Sequence, residues 1–169
     1  MIRCNILLAF FAMSAMQPAL AEEPAGVIRW RGQGTQIYDC EQIAAGYSWV
    51  LRQPDATLTD SDGRIRGHHG AGPSWTANDG SRVVGRAITT ILAPRAGAIP
   101  WLVVEINARD GRGALDGVTY VLRTETVGGV PPEAGCDQPH KGAVASVPYE
   151  ATYSFLRPSG AASRQQAER

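Results

Sequence analysis

The chain has 169 residues, 16 basic and 16 acidic, so its formal charge is zero. That neutrality excludes a nucleic-acid binder working through phosphate charge, and 44% apolar residues exclude a mostly disordered chain. With 19 glycines and 11 prolines but no strict glycine period, it is not collagen-like, and its length suits one domain with a real core.

Residues 1–21 read as a secretory signal peptide. Arg3 supplies the charge of the n-region, Ile6 to Met13 form a short apolar stretch, and Ala19-Leu20-Ala21 is a small-x-small cleavage site ahead of Glu22 and Glu23. The apolar stretch is too short for a membrane span, which needs roughly 20 residues. The expectation is a secreted or periplasmic protein, without membrane insertion, whose mature chain starts at Glu22. Loss of Arg3 leaves one net negative charge, and Lys141 is the only lysine, so no polybasic patch exists for nucleic acid or acidic lipid.

Residues 22–26 are expected to be flexible, 27–156 to form a β-rich domain, and 157–169 a disordered small and polar tail. Cys40 and Cys136 are the two cysteines left after the leader. In an oxidising compartment an even pair favours a disulfide over free thiols or a metal pair.

In chain order, Tyr47, Trp49 and Leu51 share one face of a strand. Gln42 to Ala45 fit a single turn. Arg82 to Leu92 and Trp101 to Ile106 are apolar runs suited to central strands; the second also fits a short helix, but Pro100 before it and Asp110-Gly111 after it favour a strand between turns. Val118 to Glu125 is β-branched and aromatic. Val147 to Phe155 alternates, with odd positions apolar or aromatic, which describes a half-buried strand. Asp62-Gly63, Asp79-Gly80, Asp110-Gly111 and Asp116-Gly117 are hairpin-type dipeptides. Many short strands between Gly/Pro turns predict an all-β single domain, a β-sandwich, with an irregular β-barrel as the alternative.

Several chemistries lack their signature. There is no G-x-S-x-G elbow, no phosphate-cradling glycine loop, no H-E-x-x-H and no C-x-x-C. The unusual segment is Gly67-His68-His69-Gly70-Ala71-Gly72-Pro73-Ser74-Trp75, followed by Asn78-Asp79-Gly80-Ser81. Glycine permits close backbone approach, imidazole can ligate, donate or accept, and Trp75 offers a flat apolar wall. Adjacent His68 and His69 point to opposite faces of a straight strand, which weakens a shared metal. Ser74 or Ser81 beside a histidine oriented by Asp79 would be the hydrolytic version. The bland alternative is a structural histidine in a turn. Glu105, on an apolar stretch, needs a neutralising partner, for which Arg86 or Arg123 are the candidates.

The leading reading is a binding module for an extracellular or periplasmic ligand, small or polymeric, with His69, Trp75 and Asp79 lining the site and His68 beside them. A metal-assisted or hydrolytic enzyme on the same loop is the alternative, and a structural envelope protein with no site is the third. No cofactor is expected, a metal at His69 being the lesser alternative, and nothing indicates an oligomeric state.

Certain residues fall in a familiar series: Tyr38-x-Cys40, Tyr47-x-Trp49, Pro54-x-Ala56-x-Leu58, Gly67-x-His69-x-Ala71-Gly72-Pro73-x-Trp75, Asp79-Gly80-Ser81-x-Val83-x-Gly85, Ile99-Pro100-Trp101-Leu102, Arg123-x-x-Thr126-x-Gly128-Gly129 and Pro148-Tyr149-x-Ala151-x-Tyr153-x-Phe155. The series resembles the secreted bacterial and fungal family known as domain of unknown function 3455, over nearly the whole mature domain. The resemblance implies one secreted domain and no particular activity. It matches His69 but not His68, which singles out His69 for testing.

Overall fold

The computed structural model describes residues 26–158. The leader, residues 22–25 and the tail beyond Pro158 lie outside them. Eight strands follow one another: β1 (Val27–Ile43), β2 (Gly46–Thr59), β3 (Ile65–Gly70), β4 (Ser74–Ala77), β5 (Arg82–Ile91), β6 (Trp101–Asp110), β7 (Tyr120–Gly128) and β8 (Val144–Leu156). Each pairs antiparallel with the next, and β8 returns to pair with β1, from Val27↔Leu156 to Asp39↔Val144. The sheet therefore closes into a ring, the irregular-barrel form of the all-β expectation. Among the described residues closure gives every strand two neighbours and so leaves no edge strand. The ring is uneven, because β1 has 17 residues while β4 has 4.

Asp62-Gly63, Asp79-Gly80 and Asp116-Gly117 sit in turns or loops and Asp110-Gly111 spans the end of β6, and Gly63, Gly80, Gly111 and Gly117 all adopt positive φ, the backbone state that glycine enters without a Cβ clash. The run from Trp101 is a strand and not a helix. In β8, Tyr149, Ala151, Tyr153 and Phe155 all face inward and are buried, as the alternation requires. In β1 the even positions from Trp30 to Cys40 turn inward, all of them buried except a partly covered Gly34. Gly32 belongs to that series because a Cβ there would lie 2.5 Å from the Tyr153 ring.

One end of the interior is an apolar core. Trp30 meets Phe155 edge-on with centroids 4.8 Å apart, and Leu58, Val83, Val104, Leu115 and Val121 close around them. Each such side chain contributes about 1.5–3 kcal/mol through burial. Further along β1, at Gln36, the interior turns polar.

Cys40 and Cys136 form the disulfide, with Cα atoms 5.3 Å apart. It ties β1 to the β7–β8 connection, which β1 also holds by backbone bonds from the Cys40 amide to the Ala143 carbonyl (2.8 Å) and from the Gly142 amide to the Cys40 carbonyl (2.9 Å). Among the described residues no helix is long and apolar enough to cross a membrane. On the outer face Arg86 Nη2 donates to Glu105 at 2.7 Å, so Arg86 is the partner of that carboxylate, and Arg123 is used elsewhere.

Candidate functional site

The β3–β4 hairpin carries the histidine pair. His69 lies opposite Trp75 and His68 opposite Thr76, so strand parity sends the two imidazoles to opposite sides. His68 is outside, exposed, with Nε2 2.8 Å from Asp55 Oδ1. His69 is inside at 3% exposure. Its ring stacks on Trp75 with centroids 4.7 Å apart and planes 7° apart, and tilts against Tyr153 at 5.0 Å.

His69 Nδ1 lies 2.8 Å from the Ser74 carbonyl oxygen. A carbonyl only accepts, so Nδ1 carries the proton and Nε2 keeps a lone pair. Burial pushes the imidazole pKa down to about 4, only partly opposed by the Ser74 carbonyl. At neutral pH this histidine is an uncharged donor at one nitrogen and an acceptor at the other.

His69 and Trp75 border a cavity of about 300 Å³ in the barrel interior, together with Gln36 of β1, Leu102 of β6, Arg123 of β7 and Tyr153 of β8. Gly72 and Pro73, in the β3–β4 turn, form part of its edge. Register explains why these groups meet. Arg123 pairs across the sheet with Leu102 on one side and Tyr153 on the other, and directly opposed residues share a face.

The cavity wall is unusual in its unused hydrogen-bonding capacity. Gln36 is 1% exposed, yet neither its amide nitrogen nor its amide oxygen has a partner among the described residues. The Trp75 indole nitrogen is likewise buried and unpaired. Such groups cost free energy when left unpaired, so natural interiors rarely keep them. Arg123 donates from Nε (3.1 Å) and Nη2 (2.8 Å) to one oxygen, the Pro100 carbonyl. Burial lowers its pKa and raises that of Tyr153 well above the usual phenol value, so Tyr153 is a neutral neighbour. The Tyr149 and Tyr153 hydroxyls are 3.0 Å apart.

Asp79 does not join this group. Its Oδ1 accepts from the Ser81 amide (3.0 Å) and hydroxyl (2.6 Å), and its Oδ2 accepts from the Ala114 amide (2.6 Å). The Ser81 hydroxyl in turn accepts from the Leu115 amide at 3.1 Å. These bonds hold the carboxyl below its ordinary pKa, the Ser81 hydroxyl contributing most. Asp79 and Ser81 thus bind the β4–β5 turn to the loop before β7, and the His–Asp–Ser grouping of the hydrolytic version is not assembled. Among the described residues no three metal-ligating side chains converge.

Sequence reasoning picked out His69 and Trp75 and missed Gln36, Arg123 and Tyr153 as their companions. A signal for Gln36 exists: it is the one amide in the inward series Trp30, Gly32, Gly34, Gln36, Tyr38, Cys40.

A family model described as protein of unknown function (DUF3455) matches residues 21–157. No curated protein and no solved structure matches the chain.

Proposed function

This chain belongs to the family of proteins of unknown function DUF3455, and we propose that it is a secreted binding module holding a small ligand inside its barrel. The observation that carries this reading is the Gln36 amide, buried and without a partner at both ends, on the wall of the same cavity as His69, Trp75 and Arg123. A ligand that meets these groups removes the penalty of leaving them unpaired. Small-molecule sites are commonly concave, mostly apolar and furnished with a few convergent polar groups, and barrel interiors are a frequent place for them. At about 300 Å³ the cavity is at the small end of the roughly 300–1,000 Å³ typical of such sites, which favours a compact ligand over a polymer. Action outside the cytoplasm is supported by the leader-like residues 1–21 and by the disulfide.

Fragment screening by protein-observed NMR on residues 22–169 tests the proposal. Binding fragments are expected to shift the Gln36 side-chain amide and the Trp75 indole N–H together, and a Leu102→Trp plug is expected to abolish the shifts. An absence of hits, or hits that survive the plug, overturns it.

A further inference from the structure

We propose that the ligand is a small organic monoanion, an apolar body bearing one carboxylate, with the carboxylate gripped by Arg123. This rests on the binding reading above and adds the ligand's charge and head group to it.

Charge comes first. Two arginines border the cavity, Arg52 and Arg123. Arg52 is committed to Asp39, with Nε donating to Oδ2 at 2.6 Å and Nη2 to Oδ1. Arg123 takes part in none of the ion pairs among the described residues. Its near neighbours Tyr38, Tyr149 and Tyr153 are phenols, and His69 is neutral. One half-buried cation without a counter-charge remains on the wall, and a buried charge calls for a partner.

Geometry comes next. The Pro100 carbonyl takes one hydrogen from Nε and one from Nη2. It thereby fixes the guanidinium plane, which the Tyr153 hydroxyl also engages, and the remaining hydrogens lie along the Nη1–Nη2 edge. That edge is the fork a planar carboxylate grips with both oxygens.

A phosphate monoester fits less well: it carries up to two negative charges and the wall supplies one. The rest of the lining selects the body. Leu51, Pro54, Pro73, Leu102 and Val104 are apolar, and the Trp75 indole is flat. Such a wall suits an aromatic ring or a short alkyl group.

Isothermal titration with benzoate and its uncharged isostere benzamide tests the inference. Wild type is expected to bind benzoate at least tenfold more tightly than benzamide. Arg123→Gln is expected to weaken benzoate about 10–100-fold and leave benzamide within a few-fold, while Arg123→Lys, which keeps the charge but loses the fork, falls between. Since Arg123 also holds Pro100, each variant is first checked by its amide NMR spectrum. If Arg123→Gln does not fold, the Arg123→Lys series and the wild-type ratio decide alone. Equal binding of the two probes, both abolished by Leu102→Trp, would sink the carboxylate while sparing the cavity. Binding of neither, or binding that ignores the plug, overturns both.

Discussion

His69 and Trp75 lie face to face across the β3–β4 hairpin, ring centroids 4.7 Å apart. The stack, completed by Tyr153 at 5.0 Å from His69, takes the imidazole out of water and keeps it neutral.

This neutrality has a pH signature. The unfolded chain takes up a proton at His69 near its ordinary pKa of 6.5, and the native protein does so only near 4. The unfolded state therefore binds more protons between these values. The stability contributed by the neutral imidazole is full above pH 6.5 and is lost as pH falls towards 4. Urea titrations at pH 7 and pH 4.5 are expected to show about 2–3 kcal/mol less acid sensitivity in His69→Gln than in wild type. Parallel slopes would mean that the ring is solvated.

Gln36 gives a prediction of opposite sign to most core substitutions. Replacing the unpartnered amide with leucine removes two buried polar atoms that have no bonds to lose. Gln36→Leu is expected to raise the unfolding free energy by about 1–2 kcal/mol and to weaken fragment binding. A urea midpoint that falls, at unchanged m, would show that the amide is satisfied in solution.

The disulfide spans 96 residues of sequence. Chain-entropy reasoning assigns a loop of that size about 4–5 kcal/mol. The Cys40→Ala/Cys136→Ala double variant is expected to lose roughly 4 kcal/mol in chemical denaturation and to keep its strand content by circular dichroism. The bond from Trp49 Nε1 to the Ala134 carbonyl, 3.0 Å, helps hold the β7–β8 connection in place without the sulfurs. A double variant as stable as wild type would refute the assignment.

Asp79 should behave as a turn residue. Asp79→Ala removes the acceptor for the Ser81 amide and hydroxyl and for the Ala114 amide, and is expected to cost about 1–2 kcal/mol without changing benzoate affinity. Loss of affinity at unchanged stability would return Asp79 to the site.

Local features of the fold could be read from the sequence because their causes are local. Asp62-Gly63 and Asp79-Gly80 announce turns through glycine's freedom at positive φ, and Val147 to Phe155 announces its buried face by alternation. Closure could not be read, because pairing Val27 with Leu156 depends on strands at opposite ends of the domain. The site divides the same way. His69 and Trp75, near in sequence, border the cavity together. Asp79 is equally near, but the β4–β5 turn carries it away from the cavity. The sequence offers both Arg86 and Arg123 as partners for Glu105, and register decides between them: Arg123 lies opposite Leu102, whose side chain borders the cavity, while Glu105 pairs outside with Arg86.

The seal between β1 and β8 also sets a timetable. β1 must wait for β8, the first and last strands among the described residues, through thirteen matched positions, before the ring exists. Long-range pairing of this kind is slow to form. A chain without β8 leaves β1 and β7 each with an unpaired flank, so the ring closes only where β1 and β8 are present together.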